Sequence, residues 1–181
     1  MLSLSAMVET NGDYRLRFLD DPVLRKKAAA VPAWTAAEAD LVRAMADVMV
    51  AHRGVGLAAP QLGVLKRVIV VHPGILPPGG DTVLVNPAVV SRSEEELEED
   101  EGCLSLLSVA APLKRPSRAV VRYLNARGEP REMEVEEFGA RAVLHELDHL
   151  DGVLYIDHLS RLKRKQVRDE FRKLYRELGL A

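Results

Sequence analysis

Five consecutive residues carry the densest chemistry in this 181-residue chain: His145-Glu146-Leu147-Asp148-His149. On an α-helix, side chains four residues apart leave one face about one turn apart. His145 and His149 can therefore grip a single metal ion from one helix. Glu146, displaced around the helix from the first ligand, can reach a water on that ion; this is the HExxH arrangement of metal hydrolases. The competing account is a solvated helix face that happens to carry two histidines and a glutamate. The amphipathic pattern around the motif favours the metal.

A catalytic metal site takes a third protein ligand and keeps a position open for water. The other histidines are His52, His72 and His158, and Cys103 is the one thiol. Cys103 stands in the segment 101–105 (EGCLS), where Gly102 permits unusual backbone angles or a close approach. Three fates are open to it. It can be a small buried hydrophobe, a thiol nucleophile with a histidine base, or a thiolate completing a Cys-His-His set.

The elements that must position these residues follow from periodicity and turn chemistry. Thr35 and Glu38 form a capping-box pattern, and Leu41, Val42, Met45, Val48, Met49 and His52 then share one helical stripe. Gly54 ends that helix. The segment 54–61 (GVGLAAPQ) reads as a small-residue loop with no helix start, in which Val55-Gly56 offers an edge that an extended peptide can join as a strand. The same glycines serve equally well simply to turn the chain. Residues 66–72 predict a strand, 73–80 a Pro/Gly loop and 82–85 a second strand. Residues 117–137 predict a hairpin that turns at 125–128.

Glu137 to Leu150 predicts the helix bearing the histidines, with Val143, Leu147 and Leu150 on one side; Asp148 either pairs with Arg115 and fixes the helix or is an ordinary solvated carboxylate. Residues 160–178 predict a last helix on a stripe of Val167, Phe171, Leu174, Tyr175 and Leu178, stopped by Gly179. Hairpin turns rather than a βαβ rhythm predict an α+β fold: mainly antiparallel sheets packed around a central HExxH-bearing helix, with an additional C-terminal helix.

Composition narrows the function classes. A chain of this length predicts one domain over residues 1–181, with a core of useful size. A net charge of −2 argues against general nucleic-acid binding, and no specific DNA binding is expected. No apolar run approaches the ~20 residues of a membrane span, and the N-terminus lacks the pattern of a secretory signal. A cytoplasmic chain without membrane contact is the expectation, and a single cysteine leaves no internal disulfide. Charge is nevertheless uneven. Residues 94–101 read EEELEEDE, whereas from Ser160 onward Arg161, Lys163, Arg164, Lys165, Arg168, Arg172, Lys173 and Arg176 face only Asp169, Glu170 and Glu177.

Three segments, in this order and at these separations, resemble the peptide deformylase family: 54–61 (GVGLAAPQ), 101–105 (EGCLS) and 145–149 (HELDH). The similarity extends to 21–25 (DPVLR), to 66–70 (KRVIV) and to the residues after His149, and it covers roughly residues 15–175. The resemblance implies one divalent ion per chain held by Cys103, His145 and His149. That ion would be Fe2+ by habit of the family, with Ni2+, Co2+ or Zn2+ as substitutes. It implies hydrolysis of the N-formyl group from the formylmethionine of new polypeptides, which releases formate. Glu146 would be general base and acid, Gln61 and the Leu104 N–H would donate to the oxyanion, and Val55, Gly56 and Gly102 would contact the formyl-methionyl peptide. In some members a basic C-terminal helix docks on the ribosome, and the charge excess after Ser160 would suit RNA phosphates.

Three positions depart from the family pattern: Leu106-Leu107 after the second motif, Ala110 where some members carry an arginine, and Leu144 where glutamine is common. They bear on substrate range and efficiency and leave every ligand in place. Rival readings are a zinc endopeptidase, which has no use for the EGCLS segment, a non-enzymatic ribosome-binding module with a degenerate metal site, and a Cys103 thiol hydrolase that would survive chelation.

Overall fold

A computed structural model describes residues 14–180. The first helix, α1 (Ala36–Ala51), starts at Thr35, whose side chain accepts from the Ala37 N–H while Glu38 caps the Thr35 N–H in return. Its buried stripe of Leu41, Met45, Val48 and Met49 lies on one face of the main sheet together with Leu57, Val68, Val70 and Val85.

That sheet is antiparallel, with strands β1 (Gly56–Ala58), β2 (Val68–Val71), β3 (Val83–Arg92), β6 (Arg118–Leu124) and β7 (Pro130–Glu136) in the order β1-β2-β3-β6-β7. Strands β4 (Glu96–Gly102) and β5 (Ala110–Pro116) form a separate antiparallel pair. Helix α2 (Glu137–Leu150) packs Ala140, Val143, Leu144, Leu147 and Leu150 on the sheet's other face, against Ile69, Val71, Leu84, Val121 and Val135. Helix α3 (Arg161–Glu177) seats Val167 and Phe171 in a further cluster with Leu106, Leu113, Tyr155 and Ile156. The fold is the expected α+β arrangement around the HExxH helix.

Several local expectations need correction. Segment 54–61 is not all loop: it holds β1 and the start of a 3₁₀ turn, Ala59–Leu62, introduced by Pro60. The second strand is not 82–85 but Val83–Arg92. Its continuation is hidden by Asn86 at a left-handed φ of 51° and by register shifts at Val85/Ala88 and Val89/Ser91, which break the alternation. The acidic run belongs to β4, an element its composition did not reveal. In that strand Glu101 is buried, Leu97 is half-buried and the remainder is exposed, beside a β5 whose Ala111, Leu113 and Arg115 alternate inward. The 117–137 hairpin, the helix over Glu137–Leu150 and the last helix lie where periodicity put them.

Candidate metal centre and peptide cleft

Helix α2 delivers both histidines to the interior. His145 is 7% and His149 1% exposed, and their Nε2 atoms lie 3.2 Å apart. Cys103 follows directly on β4 and caps the 3₁₀ turn Leu104–Leu106. Its Sγ is buried 3.3 Å from His149 Nε2, and the three candidate ligand atoms lie within 4.8 Å of one another.

This set fits a metal ion on its own chemistry. His145 Nδ1 is 2.7 Å from Glu101 Oε1, which fixes the tautomer and turns the Nε2 lone pair inward. The two Nε2 atoms and the sulfur then face one another around a common point. Burial alone would lower the pKa of His145, yet the hydrogen bonds to Cys103 and Glu101 hold it well above the ordinary value. Burial, with His145 as its neighbour, holds His149 well below it. A divalent cation bound between them would take up the neutral nitrogen lone pairs of both histidines.

Glu101 is the hub beneath the site, and sequence reasoning treated it only as part of a motif. Its carboxylate accepts from Arg115 Nε and Nη2 at 3.0 and 2.7 Å, from Arg141 Nη1 at 3.0 Å and from His145. Burial works to raise its pKa, but His145 and Arg115 hold it well below the carboxylate range. Arg141 also donates to the carbonyls of Leu97 and Leu113, and so ties α2 to both strands of the β4–β5 pair. Arg115 spans Glu101 and Asp148 Oδ2 (2.7 Å), and Asp148 in turn meets His158 Nε2 at 2.8 Å. The expected Asp148–Arg115 pair is therefore present. The signal for Arg141 was legible: it is an arginine one turn before His145, on the same helix face as both histidines.

Beside the ligands a cavity of about 210 Å³ opens to solvent, lined by Val55, Gly56, Gln61, Gly102, Leu104 and Glu146 together with Cys103 and His145. His149 lies behind this wall, against the sulfur. Gln61 is locked: its Oε1 accepts from the Ala58 N–H at 2.8 Å, so its amide nitrogen faces Ser105 Oγ at 3.2 Å and Cys103 Sγ at 3.6 Å. Leu104 opens a 3₁₀ turn whose later N–H groups return to Cys103 and Leu104 carbonyls, which leaves its own N–H without a partner in that turn. Glu146 is buried, its Oε2 has no hydrogen-bond partner, and burial pushes its pKa up to about 7.

The edge strand supplies the open side. Val71 N donates to Thr82 O on one flank of β2, and His72 N donates to Val55 O on the other. Alternation along antiparallel strands then turns the N–H and C=O of Gly56, opposite Val71, away from β2 and into the cleft.

A buried Cys-His-His set beside a cleft with a free strand edge matches a family pattern over most of the chain: the model of the polypeptide deformylase family covers residues 14–165. The chain belongs to that family. The peptide deformylase of Thermotoga neapolitana is 41% identical over 155 residues, 86% of this chain and 92% of that relative. A peptide deformylase structure from Legionella pneumophila superposes with a TM-score of 0.84 at 36% identity, covering 92% of this chain and 97% of that one. The Synechococcus elongatus deformylase, solved in complex with actinonin, gives 0.81 at 32% identity over 90% and 88% of the two chains.

The departures from the deformylase pattern have structural places. Leu144 is 3% exposed in the cluster between α2 and the sheet, Leu106 is fully buried, and Leu107 and Ser108 both adopt left-handed backbone as the loop turns into β5. Ala110 pairs with Gly102 at the cleft. No helix among the described residues is long and apolar enough to cross a membrane.

Proposed function

We propose that this chain is a single-domain, cytoplasmic, metal-dependent deformylase that hydrolyses the N-formyl group of formylmethionyl polypeptides to formate and a free amine. The observation that carries the reading is the meeting of Cys103, His145 and His149 at one point beside Glu146. Cys103, His145 and His149 would hold one divalent ion. Fe2+ is the natural candidate and Ni2+, Co2+ or Zn2+ are workable substitutes, since two imidazoles and a thiolate suit several such ions. When bound, that ion supplies Lewis acidity and makes a coordinated water acidic near neutral pH.

The chain's own residues do the rest. The open edge at Val55-Gly56 and the facing Gly102 take the peptide main chain as an added strand. The formyl oxygen accepts from the Gln61 side-chain amide and the Leu104 N–H. These bonds strengthen as the carbon becomes tetrahedral and the oxygen gains charge, and one such donor is worth about 2.7–4 kcal/mol. Glu146 accepts the proton of the attacking water and returns it to the departing nitrogen. A C–O bond forms, the C–N bond breaks, and formate leaves. A carboxyl with a pKa near 7 is matched to both halves of that transfer.

The test is formate release from formyl-Met-Ala-Ser by protein purified without oxygen, with Glu146→Ala alongside. The expected variant keeps its metal and loses nearly all turnover. Full activity in that variant, or wild-type activity that survives chelation, overturns the assignment; the latter result would favour Cys103 as a nucleophile.

Ribosome docking through α3 belongs to the same proposal, with reduced means. Lys165, Arg168, Arg172 and Lys173 are committed to Asp169, Asp20 and Glu177, and Arg164 is bonded to backbone carbonyls. Arg161, Lys163 and Arg176 remain for phosphates. Co-sedimentation with ribosomes at low and moderate salt, for wild type and for a variant with these three changed to Glu, decides it; equal binding ends the idea.

A further inference from the structure

Where the cleft meets solvent, its lining is charged. Arg53 lines one wall and Asp100, on β4, the other. Arg53 is the turn residue after α1. Its N–H donates to Val50 O at 3.0 Å, the Gly54 N–H returns to Met49 O at 2.8 Å, and its φ is 54°. Glycine would take that left-handed conformation without steric cost; an arginine there carries its guanidinium to the rim. Arg53 is exposed, and its side chain makes no hydrogen bond or ion pair among the described residues. By contrast Arg115 and Arg141, the other guanidinium groups near the site, are saturated by Glu101, Asp148 and carbonyls.

We infer that Arg53 sets a preference for an acidic side chain at the third or fourth residue of the substrate polypeptide. The inference rests on the deformylase reading of the same cleft. The reacting end of the substrate must lie at Glu146, which is in contact with Gly56. Along the edge the wall passes from buried Gly56 to exposed Val55 and Arg53, and the chain follows it outward. An extended chain advances about 3.3 Å per residue, so the three residues from Gly56 to Arg53 span at most about 10 Å. The side chain that arrives within reach of the guanidinium belongs to the third or fourth residue, and a carboxylate there meets a charge with no other partner. A lysine at the same place meets repulsion. Because the pair is solvent-exposed, its effect is modest and falls with added salt.

The experiment compares four C-terminally amidated peptides: formyl-Met-Ala-Glu-Ser, formyl-Met-Ala-Lys-Ser, formyl-Met-Ala-Ser-Glu and formyl-Met-Ala-Ser-Lys. The ratio of kcat/KM for Glu over Lys is measured within each protein, for wild type and Arg53→Glu. At one of the two positions wild type should prefer Glu by about two- to fivefold, within the range that exposed charge pairs supply. The preference should reverse in Arg53→Glu and shrink in wild type at high salt. A ratio of one at both positions, or a Lys preference unchanged by the substitution, overturns the inference; the latter would show that Asp100 governs the mouth. If no peptide releases formate from either protein, the deformylase reading itself fails.

Discussion

Gly56 and Glu146 touch so closely that a side chain on one would displace the other. An ideal Cβ placed on Gly56 would lie 2.6 Å from Glu146 Oε1 and 2.9 Å from its Cγ. The free strand edge and the proposed proton carrier are thus parts of one fitted surface. Gly56→Ala is expected to push the Glu146 carboxylate off its place and lower kcat for formate release at least about tenfold, the scale on which displaced acid–base groups act. Metal content should be unchanged. Measuring turnover and bound metal together separates this from a collapsed site.

Glu101→Gln removes the charge that Arg115, Arg141 and His145 share. Breaking a buried ion pair costs about 3–5 kcal/mol, so the denaturation midpoint should drop clearly. Metal affinity, read by competition with a chelator, should fall about 10–100-fold, as when a ligand loses its orienting partner. Unchanged affinity would mean that Glu101 holds strands together and does nothing for the centre.

How far the sequence revealed this arrangement depends on the range of each interaction. Helix α2 was legible because a 3.6-residue period and the HELDH spacing speak of the same face. The capping box at Thr35 and Glu38 was legible because it lies within four residues. Strand β4 was not: only Glu101 turns fully inward, and six acidic neighbours read as solvated chain. The approach of Cys103 to His149, 46 residues apart, depends on that hidden hairpin and on Arg115 and Arg141, which bind it to α2. Nothing local encodes that convergence, and the family resemblance carried it.

Acid should loosen the N-terminal face of the sheet through Glu38. Hydrogen bonds from Lys66 and then Thr35 lower its pKa from the ordinary 4.5 to about 2. A carboxyl depressed on folding contributes stability that is complete above its unfolded pKa and disappears as pH falls through the folded one. The contribution is therefore present at neutral pH and lost between about pH 4.5 and 2. Glu38→Gln should be less stable than wild type at pH 7, and the two should converge toward pH 2 in denaturant titrations.

Phe171 anchors α3 with 2% of its surface exposed, packed against Tyr175 and the cluster that also holds Tyr155. Phe171→Ala should cost about 3–5 kcal/mol, seen as a lower unfolding midpoint. Cys103 shares that cluster, but β4 and the arginines that bind Glu101 hold its backbone to α2, so metal content of the folded fraction should survive.

The brevity of β1 limits how firmly a visiting chain can be held. With the Ala58 N–H already given to Gln61, the edge at Val55-Gly56 offers a visiting chain only a few main-chain hydrogen bonds, each worth about 0.5–1.5 kcal/mol net. Such a grip lets go readily. On the proposed reading, a handhold so short holds a formylated chain through the reaction and frees it soon afterwards.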